Sequence, residues 1–215
     1  MAETYRVYLA GELFSAKHLM GNAALGDCVE RRSGGRFRCV LPQDLPQGGT
    51  ARAIRDGDLQ ALMGCDAAVF NYDGLELDSG TVVEFLFAKF ADMPAVLLRT
   101  DFREAGDQKE GEPWNLMTSF YPRTETVRLY SMELYQEALR ERGTGMAAAS
   151  AVVERVGAEV CAALEKVLAL PAVLGREMGP AVYEWLAVMP GVDNGAAARE
   201  EAGRLYREKV AKGLL

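Results

Sequence analysis

Histidine is almost absent from this 215-residue chain: His18 stands alone, and no HExxH or Cys/His cluster appears. The sequence therefore offers no histidine-rich metal site. Cysteine is sparse and scattered (Cys28, Cys39, Cys65 and Cys161), with no CxxC pair. The expectation is a cytoplasmic protein without a signal peptide, its thiols reduced. Basic residues are in deficit, 24 against 31 acidic, for a net charge of −7. That argues against nonspecific binding to nucleic acid or to an anionic membrane, which needs a basic face. No apolar run approaches the roughly 20 residues that span a bilayer. GxxxxGK[ST] and a post-strand GxGxxG are both missing, which removes simple NTPase and dinucleotide readings. No repeat, low-complexity tract or long heptad array is present.

What the chain has is core. At 49% hydrophobic residues, 215 residues suffice for one large domain or a domain with an appendage. Short apolar strands are expected at residues 6–10, 37–41, 66–71, 95–99 and 126–130. Helices near 17–32, 50–63 and 79–91 separate the first four. Five strands with helical crossovers imply an α/β, flavodoxin-like, doubly wound parallel sheet covered on both faces. Residues 100–125 form a long connection that starts charged and ends apolar, with Trp114, Leu116, Met117, Phe120 and Tyr121. A solvated linker would not end that way, so its second half is expected to pack on this subunit or another. Beyond residue 144 the chain reads as helical, with segments near 145–168, 179–188 and 196–212. The expected division is an α/β unit at 1–143 and a helical extension at 144–215, packed on it or at an oligomer interface.

Residues 73–87, DGLELDSGTVVEFLF, carry the most chemistry. Glu84 sits in an otherwise apolar helix start, where an unpaired ionised side chain costs several kcal/mol, roughly. A helical pairing four residues on would excuse it, but position 88 is alanine and Lys89 is one residue off that register. A cleft kept for chemistry is the better reading. Asp78 stands just outside the helix, beside Ser79 and Gly80, and suits a helix cap as well as a site. If Ser79 caps the helix, its positive end favours an ionised, nucleophilic Glu84.

Ligands in doubly wound sheets bind outside the carboxyl ends of the strands, near the switch in strand order. The loops on that edge span residues 11–17, 42–49 and 72–78, with one more after Arg99. Tyr8, on the first strand, reads as a core aromatic or as a site phenol. Asp56 and Asp58, on the helix before the third strand, read as solvated charges or as site acids. Two carboxylates without a metal suit glycosyl transfer and hydrolysis, one attacking the anomeric carbon and the other assisting the leaving group.

The chain resembles the nucleoside 2-deoxyribosyltransferases over about residues 5–130. The resemblance is carried by Val7-Tyr8-Leu9-Ala10-Gly11 with Phe14, by Asp58 eight residues before Asp66, by Asp78-Ser79-Gly80-Thr81 with Glu84, and by Asn115-Leu116-Met117. It implies exchange of the base on a 2′-deoxyribonucleoside by double displacement, with Glu84 as nucleophile and Asp58 as proton donor and acceptor. It implies further that Asp78 holds a ribose hydroxyl, that Tyr8 tunes Glu84, and that Asn115 reaches a neighbouring subunit's pocket. Met117 belongs to the same lent arm, and Gly11 and Phe14 to the first loop. Either Gln43 or Gln47 faces the base. The implied partners are a deoxyribonucleoside, a free purine or pyrimidine base and further copies of the chain, with no cofactor. Family members of compact form end soon after the fifth strand; here some 70 to 80 residues follow.

Two rivals remain open at this level. Hydrolysis of the N-glycosidic bond would use the same ester, with water as acceptor. A nucleotide substrate fits less well, because Gly11-Glu12-Leu13-Phe14 places an acid and bulky groups where a phosphate would sit. A non-catalytic nucleoside sensor is the alternative of another class.

Overall fold

The computed structural model describes residues 3–46, 49–103 and 115–215. Five parallel strands lie in the order β2-β1-β3-β4-β5: β1 (Tyr5–Ala10), β2 (Phe37–Val40), β3 (Ala67–Asn71), β4 (Ala95–Arg99) and β5 (Thr124–Arg128). This is the flavodoxin-like order, whose direction switches between β1 and β3. Helices α1 (Ala16–Arg32), α2 (Ala51–Met63) and α3 (Ser79–Phe90) make the crossovers. After β5 come α4 (Ser131–Arg142), α5 (Gly145–Leu168), α6 (Gly179–Val188) and α7 (Gly195–Ala211). Among the described residues, no helix is long and apolar enough to cross a membrane.

Strand alternation divides the core in two. Val7, Leu9, Ala67, Val69, Val96 and Leu98 face one side, where Val29 of α1 and Val160, Leu164 and Val167 of α5 cover them. Tyr8, Ala10, Ala68, Phe70, Ala95 and Leu97 face the other, under α2 and α3 and under Tyr183, Leu186 and Leu205 of α6 and α7. Central strands buried on both faces explain the near-continuous apolar runs. Caps fix the helix starts: Ser15, Thr50, Asp78, Thr144 and Asn194 each accept a bond from the backbone N–H three residues on.

The helices after β5 are tied to the amino edge of the sheet. Asp66, buried at 4% exposure, accepts the Arg6 N–H at 2.8 Å and the Lys212 ammonium at 2.7 and 2.9 Å. Asp92, at 5%, pairs with Arg123 at 3.3 Å and accepts the N–H groups of Val173 and Leu174 at 2.6 and 2.8 Å. Lys209 is buried, and its ammonium donates to the Cys65 carbonyl.

Two details differ from the sequence expectation. Helix α4 was not foreseen, because it buries only Ala138 and docks on α5 rather than on the sheet. Its stop is nonetheless written in the chain: Arg140 and Arg142 precede Gly143, whose φ of 75° gives a left-handed end. The last strand runs two residues earlier than expected, because it pairs from Thr124 against Ala95 and leaves Tyr130 to cap α4.

Candidate active site

Three elements converge at the carboxyl edge by the β1/β3 switch. Tyr8 points from β1 toward α3 and is wholly buried, and its hydroxyl donates to Glu84 Oε1 at 2.7 Å. Glu84 lies on the inner side of α3, half-buried between exposed Val83 and buried Phe85. Asp58, half-buried on α2, and Asp78, at the start of α3, lie near enough to act on Glu84 through their charge. Among the described residues, no Lys, Arg or His is within ion-pair distance of Glu84, Asp58 or Asp78.

The electrostatics follow from this lack of cations. Burial pushes the Glu84 carboxyl up to about 7; the Asp58 and Asp78 charges add to the rise and the Tyr8 hydroxyl opposes it. Burial also raises Asp58. Burial, and then the Glu84 charge, drives the Tyr8 phenol far above its ordinary range, so Tyr8 serves as a fixed proton donor.

Of the two cap candidates, Asp78 rather than Ser79 caps α3, its Oδ2 accepting from the N–H of Thr81 at 2.7 Å and the Thr81 hydroxyl at 2.9 Å, and the expected effect of the helix end on Glu84 is corrected. Glu84 is thus the sixth helical residue, beyond the first turn where the dipole acts strongly. Desolvation outweighs the dipole, and the proton is held more tightly than in water, not less.

Asp56 is not brought to this site: it bonds Arg55 and lines a separate cavity of about 490 Å³ under α6 and α7. Asp58 also borders a cavity of about 390 Å³ shared with Leu45, Pro46 and Ile54. Gly11 passes so close to β3 that a Cβ there would lie 3.1 Å from that of Asn71, which keeps the first loop tight against the sheet. Phe14, next on that loop, is 75% exposed. Gln43 is turned to α1, donating to the Leu19 carbonyl at 3.0 Å and accepting from Asn22 at 3.3 Å. Asn115 caps its own short 3-10 turn, Leu116–Thr118, through Thr118 N–H at 3.1 Å. Leu116, Met117 and Phe120 are exposed, while Tyr121 packs edge-on against Phe85 with ring centroids 5.2 Å apart. Gln47 and Trp114 lie outside the described residues.

The sequence reading missed Arg99, buried at 3% exposure behind the loop that delivers Asp78. An arginine closing the apolar strand AVLLR, between Asp73-Gly74 and Thr100-Asp101, was the available signal. Among the described residues, no group of three or more His, Cys, Asp or Glu side chains is placed to hold a metal ion.

A doubly wound sheet with a phenol-bonded glutamate and two further acids near its switch point defines the class: an α/β protein of flavodoxin-like topology with an acidic cluster at the carboxyl edge. The family model for nucleoside 2-deoxyribosyltransferase matches residues 7–117, just over half of the chain, and the chain belongs to that family. No curated protein matches it. Among solved structures, it is similar to a conserved protein from Enterococcus faecalis V583, at 18% identity and a TM-score of 0.47, covering 76% of this chain and 98% of that one. It is similar also to a 2-desoxiribosyltransferase from Leishmania mexicana, at 23% identity and TM-score 0.46, covering 65% and 99%. A 2-deoxyribosyltransferase from Bacillus psychrosaccharolyticus follows at 19% and 0.39, covering 54% and 91%.

Proposed function

We propose that the chain transfers 2-deoxyribose between nucleobases through an ester on Glu84. A carboxylate of Glu84 attacks C1′ of a 2′-deoxyribonucleoside. The C1′–N bond breaks, its electron pair stays on the base nitrogen, and Asp58 supplies the proton that neutralises the leaving base. An incoming base nitrogen then attacks C1′ from the opposite face, the ester oxygen leaves as the Glu84 carboxylate, and Asp58 takes up the proton. Two inversions restore the original configuration.

The single observation that supports this most is the Tyr8–Glu84 bond of 2.7 Å, with no cation within ion-pair distance among the described residues. It holds one oxygen in place, and Oε2 accepts no hydrogen bond from the described residues. Burial makes the Asp58 carboxyl hold its proton more firmly than a solvated aspartate does, in keeping with a proton donor. Asp78 keeps lone pairs beyond its cap bonds and is assigned to a ribose hydroxyl. Gly11 and Phe14 are assigned to the substrate side of the first loop. Asn115 and Met117 are assigned to a neighbouring copy's pocket, which gives the exposed apolar arm a use in a homo-oligomer. Gln43 would reach a base only by leaving its contacts with α1. Residues 1–143 carry the chemistry on this reading and 144–215 brace the sheet.

Incubation with deoxyinosine and free adenine tests it. Transfer yields deoxyadenosine; hypoxanthine and deoxyribose alone would mean hydrolysis. Unaltered nucleoside binding by Glu84→Ala, with no product from the wild type, would mean a sensor.

A further inference from the structure

We infer that Arg99 is a positioning residue for this reaction, strapping the loop that carries Asp78 to the loop after β4; the inference rests on the proposed function of Glu84 and Asp78. Arg99 closes β4 and is 3% exposed. Its guanidinium donates to the carbonyls of Tyr72 and of Gly74, the latter at 3.2 Å, in the loop between β3 and α3. It also donates to the Arg103 carbonyl at 3.0 Å, in the loop after β4. The loops answer in the other direction. Asp73 accepts the N–H groups of Thr100 at 2.5 Å and Asp101 at 2.8 Å, and the Thr100 hydroxyl at 2.7 Å. Asp101 accepts the Gly74 N–H at 3.2 Å and the Arg103 Nε at 2.9 Å.

This braid is costly to build. Sinking a guanidinium costs several kcal/mol, roughly, unless its donors are satisfied. Gly74 adds a φ of 114°, where any side chain is strained. The expense falls where the proposed chemistry needs rigidity. Gly74 lies four residues before Asp78. Five N–H groups in one rigid fork are the means of holding several carbonyls on two loops at once, and a lysine cannot reproduce them.

The test measures deoxyinosine binding by calorimetry in a Glu84→Gln background, with KM and kcat in the active enzyme. Arg99→Met is expected to weaken binding and raise KM at least about tenfold, with kcat at saturation within about threefold and Arg99→Lys in between. Asp101→Asn, which loosens the braid at its outer end, is expected to raise both about threefold and decides the matter where Arg99→Met does not fold. A folded variant with wild-type Kd and KM would overturn the inference while leaving base exchange intact. No deoxyinosine binding by Glu84→Gln and no exchange by the wild type would overturn the proposed function itself, and this inference with it.

Discussion

Asp66 and Asp92 at the amino edge of the sheet and Glu84 at the carboxyl edge are all acids withdrawn from water, and the fold treats them in opposite ways. Asp66 has an ammonium and a backbone N–H; Asp92 has a guanidinium and two backbone N–H groups. Glu84 has one phenol and two other carboxylates for neighbours. Satisfied charges fasten the helices after β5 to the sheet and leave nothing over for a ligand. The anion of Glu84 is disfavoured in the folded state, and on the proposed function it is the one that reacts. Carboxylate burial alone therefore says little about role; the company kept by the carboxylate decides it.

The sharpest way to break this contrast is to neutralise one acid at each end. Glu84→Gln is expected to lower base exchange at least about 10³-fold while making the protein more stable. The folded pKa of about 7 lies above the unfolded 4.5, so the folded state binds the proton more tightly. Stability from this group is full below pH 4.5 and is lost as pH rises through 7. The substitution should accordingly raise the melting temperature at pH 8, by an amount equivalent to roughly 3 kcal/mol, and hardly at all at pH 4. Asp92→Ala is expected to do the reverse. Leaving Arg123 buried without its partner should cost about 3–5 kcal/mol in urea unfolding, with kcat per folded molecule unchanged.

Smaller effects sharpen the comparison. Since the Tyr8 hydroxyl opposes the rise in Glu84, Tyr8→Phe should push the acid limb of the kcat/KM profile upward by about one pH unit. Activity would then fall about tenfold at pH 6 and recover above pH 8. Lys212→Met removes a partly exposed partner from Asp66 and should cost about 1 kcal/mol, with the pH profile of exchange unmoved.

Much of this was legible in the chain because it rests on local rules. The strands β1 to β4 show as apolar runs, and four of the five side-chain caps are Ser, Thr or Asn just before a helical period. The parallel order follows from the crossovers. Glu84 stood out because no cation sits at its helical neighbour positions, while its proton affinity is governed by burial. The sign of that effect was misread, because the sequence shows a helix start but not how little water reaches its sixth residue. Asp78 displaced Ser79 as cap for a similar reason: both side chains can cap, and only the backbone geometry chooses. Helix α4 escaped because its apolar face meets another helix late in the chain. Arg99 escaped because a charged residue at a strand end ordinarily meets solvent, and its burial comes from two loops 27 residues apart in sequence.

The most direct measurement is the mass of the protein after incubation with a 2-deoxy-2-fluoro sugar nucleoside, followed by peptide mapping. The expected result is one fluorosugar bound through the carboxyl of Glu84, absent from Glu84→Gln. A label on another side chain, or undiminished labelling of Glu84→Gln, would contradict an ester at this position.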